Sequence, residues 1–162
     1  LYTQVEPGFI RVDADEVTYP LHIILRYRLE QAMLSGDLGL TDLPGAWNDG
    51  MRDLLGITPP DDRLGCLQDV HWPSGSFGYF PTYTLGAMAA AQFYRAAHHD
   101  MPDLEDDIAA GRLAPLVSWL RTHVHGQGSC RTADELLSRA TGEPLNPEIF
   151  LDHLQARYLG HA

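Results

Sequence analysis

Gly65-Cys66-Leu67-Gln68-Asp69-Val70-His71-Trp72, followed by Gly78-Tyr79-Phe80-Pro81-Thr82-Tyr83, carries the densest polar and aromatic chemistry of the chain. Across residues 65–83 a glutamine, an aspartate, a histidine, a tryptophan and two tyrosines stand among three glycines and two prolines. Core helices are not written this way. Gly and Pro interrupt regular periodicity, and polar-aromatic groups on such a loop offer hydrogen bonds to a pocket. Helical patterns flank the stretch on both sides, so it reads as a functional loop set in an α-helical frame.

Upstream, Leu21, Ile24, Leu25, Leu29, Ala32 and Met33 recur at helical spacing. They predict a helix over residues 17–35, with Pro20 in its first turn and Gly36 as its stop. Thr41 or Asp42 caps a second helix that ends before Gly56. Residues 57–78 are loop-like. A third helix starts at residue 80 or 82 and runs to 97; its small-residue run at 86–91 would let another helix approach closely. Short helices are expected at 101–110 and 113–123. The last two, 132–141 and 146–159, have the clearest starts: Thr132 with Glu135 matches a capping box, and Asn146 precedes Pro147. Residues 1–16 read as extended or irregular, and Phe9-Ile10-Arg11-Val12-Asp13 alternates as a short strand or hairpin arm would. The fold class is all-α: a bundle-like single unit over 1–162 with a short extended arm at its start.

At 162 residues the chain is long enough for one domain with a real core. Its net charge of −11 argues against nucleic acid and anionic membrane surfaces as partners, since both need basic patches. No apolar run approaches the roughly 20 residues of a membrane span. Cys66 and Cys130 lack the Cys-x-x-Cys spacing of a zinc ribbon, and two cysteines in a chain of this size fit the reducing cytoplasm. Leu1-Tyr2-Thr3-Gln4 brings no initiator methionine and no signal peptide, as expected of a piece of a longer polypeptide.

Local chemistry gives half of an active site. The eight histidines include no His-Glu-x-x-His. His98-His99 and His123-x-His125 could pair in space as a four-histidine metal site, but no carboxylate supports them, and polar helix ends facing water are the plainer reading. No nucleophile elbow is present, and Cys66 near His71 reads as a structural thiol. Arg11 precedes Asp13 and Asp15, so it is either a surface salt bridge or a guanidinium fork held by carboxylates and offered to a substrate carboxylate. Tyr79 and Tyr83 stand one helical turn apart beside His71. Phenols stay protonated at neutral pH and can donate to an oxyanion, although this spacing is also common in cores.

These residues resemble a known family. Ile10-Arg11-Val12-Asp13-Ala14-Asp15 is similar to the Ile-Arg-x-x-Ala-Asp signature of the thermostable (Taq-type) metallocarboxypeptidases, and Gly65-x-x-Gln68-Asp69-x-His71-Trp72 to their Gly-x-x-Gln-Asp-x-His-Trp signature. Collinear flanks at residues 15–22, 76–83 and 140–147 extend the likeness over essentially the whole chain. The resemblance implies an almost wholly helical, neurolysin-like gluzincin fold with a deep groove. It implies removal of C-terminal residues from a peptide substrate with broad specificity, zinc or cobalt as cofactor, and a homodimer. The family's metal ligands and general base belong to His-Glu-x-x-His and a later glutamate motif. Both lie N-terminal to the Arg11 signature, so this chain would be a C-terminal portion without metal and inactive alone.

By the same resemblance, Arg11 and Gln68, Asp69 and Trp72 belong to the closed end of the groove, where they orient the peptide. His71, Tyr79 and Tyr83 follow the order of groups that stabilise the oxyanion in related peptidases; which tyrosine faces the reaction stays open. A stand-alone helical module binding peptide termini without cleavage is the alternative. A groove wall without its partner half would also expose apolar surface, so self-association through Phe77, Phe80 and Tyr83 is expected.

Overall fold

The computed structural model describes residues 3–160. The first two residues of the expected arm, Leu1 and Tyr2, and one of the eight histidines, His161, lie outside the described residues. The described chain forms α1 (Tyr19–Ser35), α2 (Leu43–Leu55), α3 (Pro81–Asp100), α4 (Leu104–Ala109), α5 (Ala114–His123), α6 (Ala133–Thr141) and α7 (Pro147–Tyr158), with no strand among the described residues. Two compact units are formed, one ending at Leu85 and the other beginning at Gly86 within α3.

The arm around Phe9 is where the helical frame departs from the sequence reading. Alternation predicts a strand, but Arg11–Asp13 is a single 3-10 turn closed by Asp13 N–H to Ile10 C=O at 3.2 Å. A strand needs a ladder partner, and here a side chain stands in for one. The Gln68 amide accepts from Arg11 N–H at 2.9 Å and donates to Phe9 C=O at 3.0 Å. It satisfies the backbone groups that a neighbouring strand would otherwise take.

In the first unit α1 packs on α2. Leu25, Leu29, Trp47, Met51, Leu55 and Cys66 are its buried centre, with Phe9, Leu43, Ile57 and Trp72 against them. Gly50 of α2 lies where a Cβ would come within 2.3 Å of Leu25 Cδ1, so the close approach is made here. At Gly86, in the run where the sequence predicts such an approach, a Cβ would meet nothing among the described residues within 4 Å.

The second unit gathers Ala97, Leu104 and Trp119 with Phe93, Met101, Leu116 and Leu120 around them. Its last two helices start as the sequence predicts. Thr132 and Glu135 form the reciprocal capping box, and the Asn146 side chain accepts from Glu148 N–H at 3.1 Å before Pro147. Gln92 of α3 is buried and donates towards Thr141 Oγ1 and the Glu143 and Pro144 carbonyls while accepting from Asn146 N–H at 3.0 Å. One amide thereby satisfies the chain linking α6 to α7.

Candidate functional site

The inward face of α1 is the platform on which the site is built. Counting by four from its cap, Thr18, His22, Arg26 and Glu30 are all buried. Residues four apart share one helix face, so they form a polar stripe beside the apolar one made by Leu25 and Leu29. The sequence reading found the apolar stripe and missed the polar one. Its signal was present as Thr-x-x-x-His-x-x-x-Arg-x-x-x-Glu from residue 18 to residue 30.

Three signature residues of the 65–72 loop, Gln68, Asp69 and Trp72, dock against this stripe or against Arg11. Asp69 receives three charge-assisted bonds: Arg11 Nη2 at 2.8 Å and Nε at 3.2 Å on Oδ1, and Arg26 Nε at 2.6 Å on Oδ2. Burial alone would raise the Asp69 pKa, but the two guanidinium groups outweigh it and hold the carboxyl below the usual carboxylate range. Burial pulls Arg26 down to about 10 against the opposing pull of Asp69, which leaves it a cation at neutral pH. Burial likewise works against charge on Arg11, but Asp69 more than offsets it and the pKa rises.

Arg11 is 6% exposed. Its Nη1 donates to Tyr19 Oη at 2.9 Å, and its guanidinium lies 4.9 Å from the Tyr83 ring centre. The carboxylate that holds it is Asp69, and neither Asp13 nor Asp15 does so. Asp15 instead accepts from the backbone N–H groups of Glu6, Val17 and Thr18, where it ties the arm to the start of α1.

His71 stands between the two anchors of the loop. Its Nε2 is 3.0 Å from Tyr83 Oη, and its ring packs 4.4 Å from the buried Phe80. Nδ1 lies 3.7 Å from Asp69 Oδ1, beyond hydrogen-bond length. Nδ1 is buried and has no hydrogen-bond partner, and the direction of the Nε2–Oη bond follows the tautomer of the ring. An imidazole that donates from Nε2 to Tyr83 leaves the phenol proton free to point elsewhere. Tyr79 is 49% exposed, with its ring centre 5.6 Å from that of His71. Trp72 donates from Nε1 to Glu30 Oε2 at 2.7 Å, and its ring meets Trp47 and Phe80 edge-on.

The structure thus brings Arg11, Gln68, Asp69, His71, Trp72, Tyr79 and Tyr83 into one cluster in the first unit. Phe80 does not belong to an exposed apolar face: it is fully buried beneath His71, so of the face expected to drive self-association Phe77 is exposed and Tyr83 half-buried. Among the described residues no group of three His, Cys, Asp or Glu side chains could hold a metal ion, which leaves the four-histidine reading without geometric support. His123 stacks on Trp119 with ring centres 4.6 Å apart.

Comparison with known proteins agrees with the resemblance that these motifs carry. The chain is 47% identical over 154 residues to the thermostable carboxypeptidase 1 of Thermus thermophilus, covering 95% of this chain and 30% of that protein. It is 46% identical over 153 residues to carboxypeptidase 1 of Bacillus subtilis, covering 94% of this chain and again 30% of the relative. The structure of Trypanosoma cruzi metallocarboxypeptidase 1 superposes with a TM-score of 0.93 at 44% identity, over 98% of this chain and 33% of that one. The chain therefore spans about a third of the length of the relatives it matches. The family model described as Carboxypeptidase Taq (M32) metallopeptidase matches residues 1–158, including both signatures and the α1 platform on which they dock, and the chain belongs to that family.

Proposed function

We propose that this chain is the C-terminal portion of a metallocarboxypeptidase and forms one wall of its peptide groove. The observation that carries the proposal is the His71–Tyr83 pair at 3.0 Å, at a loop within the stretch that the family model matches and whose Gln68, Asp69 and Trp72 are tied down. Among the described residues no group of His, Cys, Asp or Glu side chains fits a metal. The zinc or cobalt of the intact enzyme, its ligands and its general base are assigned to residues outside this chain, and the chain alone is inactive.

This chain's part is to bind and orient. Tyr83, receiving a hydrogen bond from His71 Nε2, donates its own proton to the scissile carbonyl oxygen as negative charge develops there. Tyr79, more exposed on the same turn, is the second donor in reach. Gln68, Asp69, Trp72 and Arg11 keep this edge rigid, so that little reorganisation is left to the moment of reaction. Arg11, buried and bound to Asp69 and Tyr19, acts through that rigidity. Broad specificity, a peptide substrate, a neurolysin-like groove and a cytoplasmic homodimer complete the proposal. Two free cysteines accord with the compartment, and exposed Ile24, Tyr27 and Leu34 on α1 offer apolar surface for a partner.

The test is release of the C-terminal residue from an N-blocked dipeptide by the full-length polypeptide carrying this chain. Tyr83→Phe and Tyr79→Phe are made in turn. Loss of one oxyanion donor typically lowers kcat about 100-fold or more. Wild-type kcat in both variants would overturn the oxyanion role.

A further inference from the structure

Glu30 is the one carboxylate of the α1 stripe, and no signature contains it. It is 4% exposed, and both of its oxygens are used by the loop that carries His71. Oε2 accepts from Trp72 Nε1 at 2.7 Å, and Oε1 accepts from the backbone N–H of Gly78. The two donors bracket residues 73–77. His71 immediately precedes the first, and Tyr79 immediately follows the second. Gly78 has φ +76°, a conformation in which a side chain is strained, so the backbone turns here to present its N–H. The excursion between the anchors has no regular structure, only turn bonds such as Ser76 N–H to His71 C=O at 2.8 Å.

We propose that Glu30 is a positioning residue for the proposed carboxypeptidase reaction: by clamping Trp72 and Gly78 it fixes His71 and the tyrosines on either side of the loop. This rests on the oxyanion role given above to His71 and Tyr83. The hydrogen bonds of Glu30 go to Trp72 and Gly78 and to neither of these, so it acts through the loop. The chemistry requires a carboxylate. Both partners are N–H donors, and only a group with two acceptor oxygens satisfies both. A glutamine of the same shape has one acceptor and would turn an NH2 towards one of the donors, which opens one end of the clamp. Arg26, one turn earlier, holds Asp69 in the same way, so His71 sits between two loop anchors that both start from α1.

The experiment is a double-mutant cycle in the full-length polypeptide with the same N-blocked dipeptide, using Glu30→Gln and Tyr83→Phe singly and together. The expected result is a fall in kcat of at least about 10-fold for Glu30→Gln, with less than about 2-fold further loss when it is added to Tyr83→Phe, because residues acting as a unit are non-additive. Hydrogen exchange at Gly78 N–H should also quicken in Glu30→Gln. Wild-type kcat in Glu30→Gln, or the same fold-loss in both backgrounds, overturns the positioning role. Wild-type activity in Tyr83→Phe itself would instead overturn the oxyanion reading on which it rests. If Glu30→Gln does not fold, Glu30→Asp, whose shorter stem draws both oxygens away from their donors, enters the same cycle with the same criteria.

Discussion

In the first unit α1 turns Thr18, His22, Arg26 and Glu30 inward and, with Arg11, carries every buried charged side chain among the described residues; in the second, the inward polar group of α3 is the single neutral amide of Gln92. Gln92 is satisfied by the chain around the α6–α7 link, and no ion leaves water. In the first unit, ions are taken out of water and must be paired with groups more than forty residues away, as Arg26 is with Asp69. Desolvating ions is expensive, and replacing such pairs by apolar groups is often neutral or stabilising. The comparison teaches that the first unit spends stability on geometry: the charges hold in place a loop that has no helix or ladder of its own.

The largest test of this contrast is Asp69→Ala. It leaves Arg11 and Arg26 buried without their counter-ion, and a cost of about 3–5 kcal/mol in thermal unfolding is expected. A cost below about 1 kcal/mol would mean that the network is not holding the unit together.

Next comes pH. Burial, reinforced by the neighbouring Arg26 charge, lowers the His22 pKa to about 4 from its ordinary 6.5. A histidine with a lowered folded pKa binds fewer protons folded than unfolded in that window. Its contribution is fully present above about pH 6.5 and is lost as pH falls through about 4, a total of about 3 kcal/mol. Asp69, held low by its arginines, adds its own loss only below the ordinary carboxylate range. Unfolding temperature followed from pH 7 to pH 4 should fall steeply in the parent and less in His22→Gln. Parallel curves would show that His22 does not titrate as a buried neutral ring.

The second unit should respond more mildly. Gln92→Leu removes one amide and leaves Asn146 N–H without its acceptor, for about 1–3 kcal/mol in unfolding free energy. The smallest effect belongs to Arg95→Ala. Its pair with Glu143 is 53% and 38% exposed, and water already screens it, so less than about 1 kcal/mol is expected. If Arg95→Ala matched Asp69→Ala, the contrast between the two units would fail.

Much of the frame was legible because local rules set it. Gly36, Gly56 and Gly142 end helices in left-handed conformations, the Thr132–Glu135 box and the Asn146–Pro147 cap open them, and the loop ahead of α3 is rich in Gly and Pro. All of these act within a few residues. The arm around Phe9 misled for the opposite reason. Alternation reports where side chains point, not whether a partner strand exists, and the partner here is the amide of Gln68. The candidate site was legible as residue types and order, because the motifs carry them. Its wiring was not. Arg11 has two carboxylates within four residues, yet its partner stands 58 residues along.

The sequence by itself determined the helices, the caps of the last two, the loop and the family, since capping, periodicity and motif spacing are properties of short segments, whereas Asp42 ahead of α2 makes no side-chain cap bond. Only the tertiary structure decided that Arg11 is enclosed, that Phe80 is the floor beneath His71, and that the inward stripe of α1 is polar. Burial and long-range pairing depend on which distant groups meet, and a carboxylate with two acceptor oxygens shows its use only once the donors it must satisfy have been brought beside it.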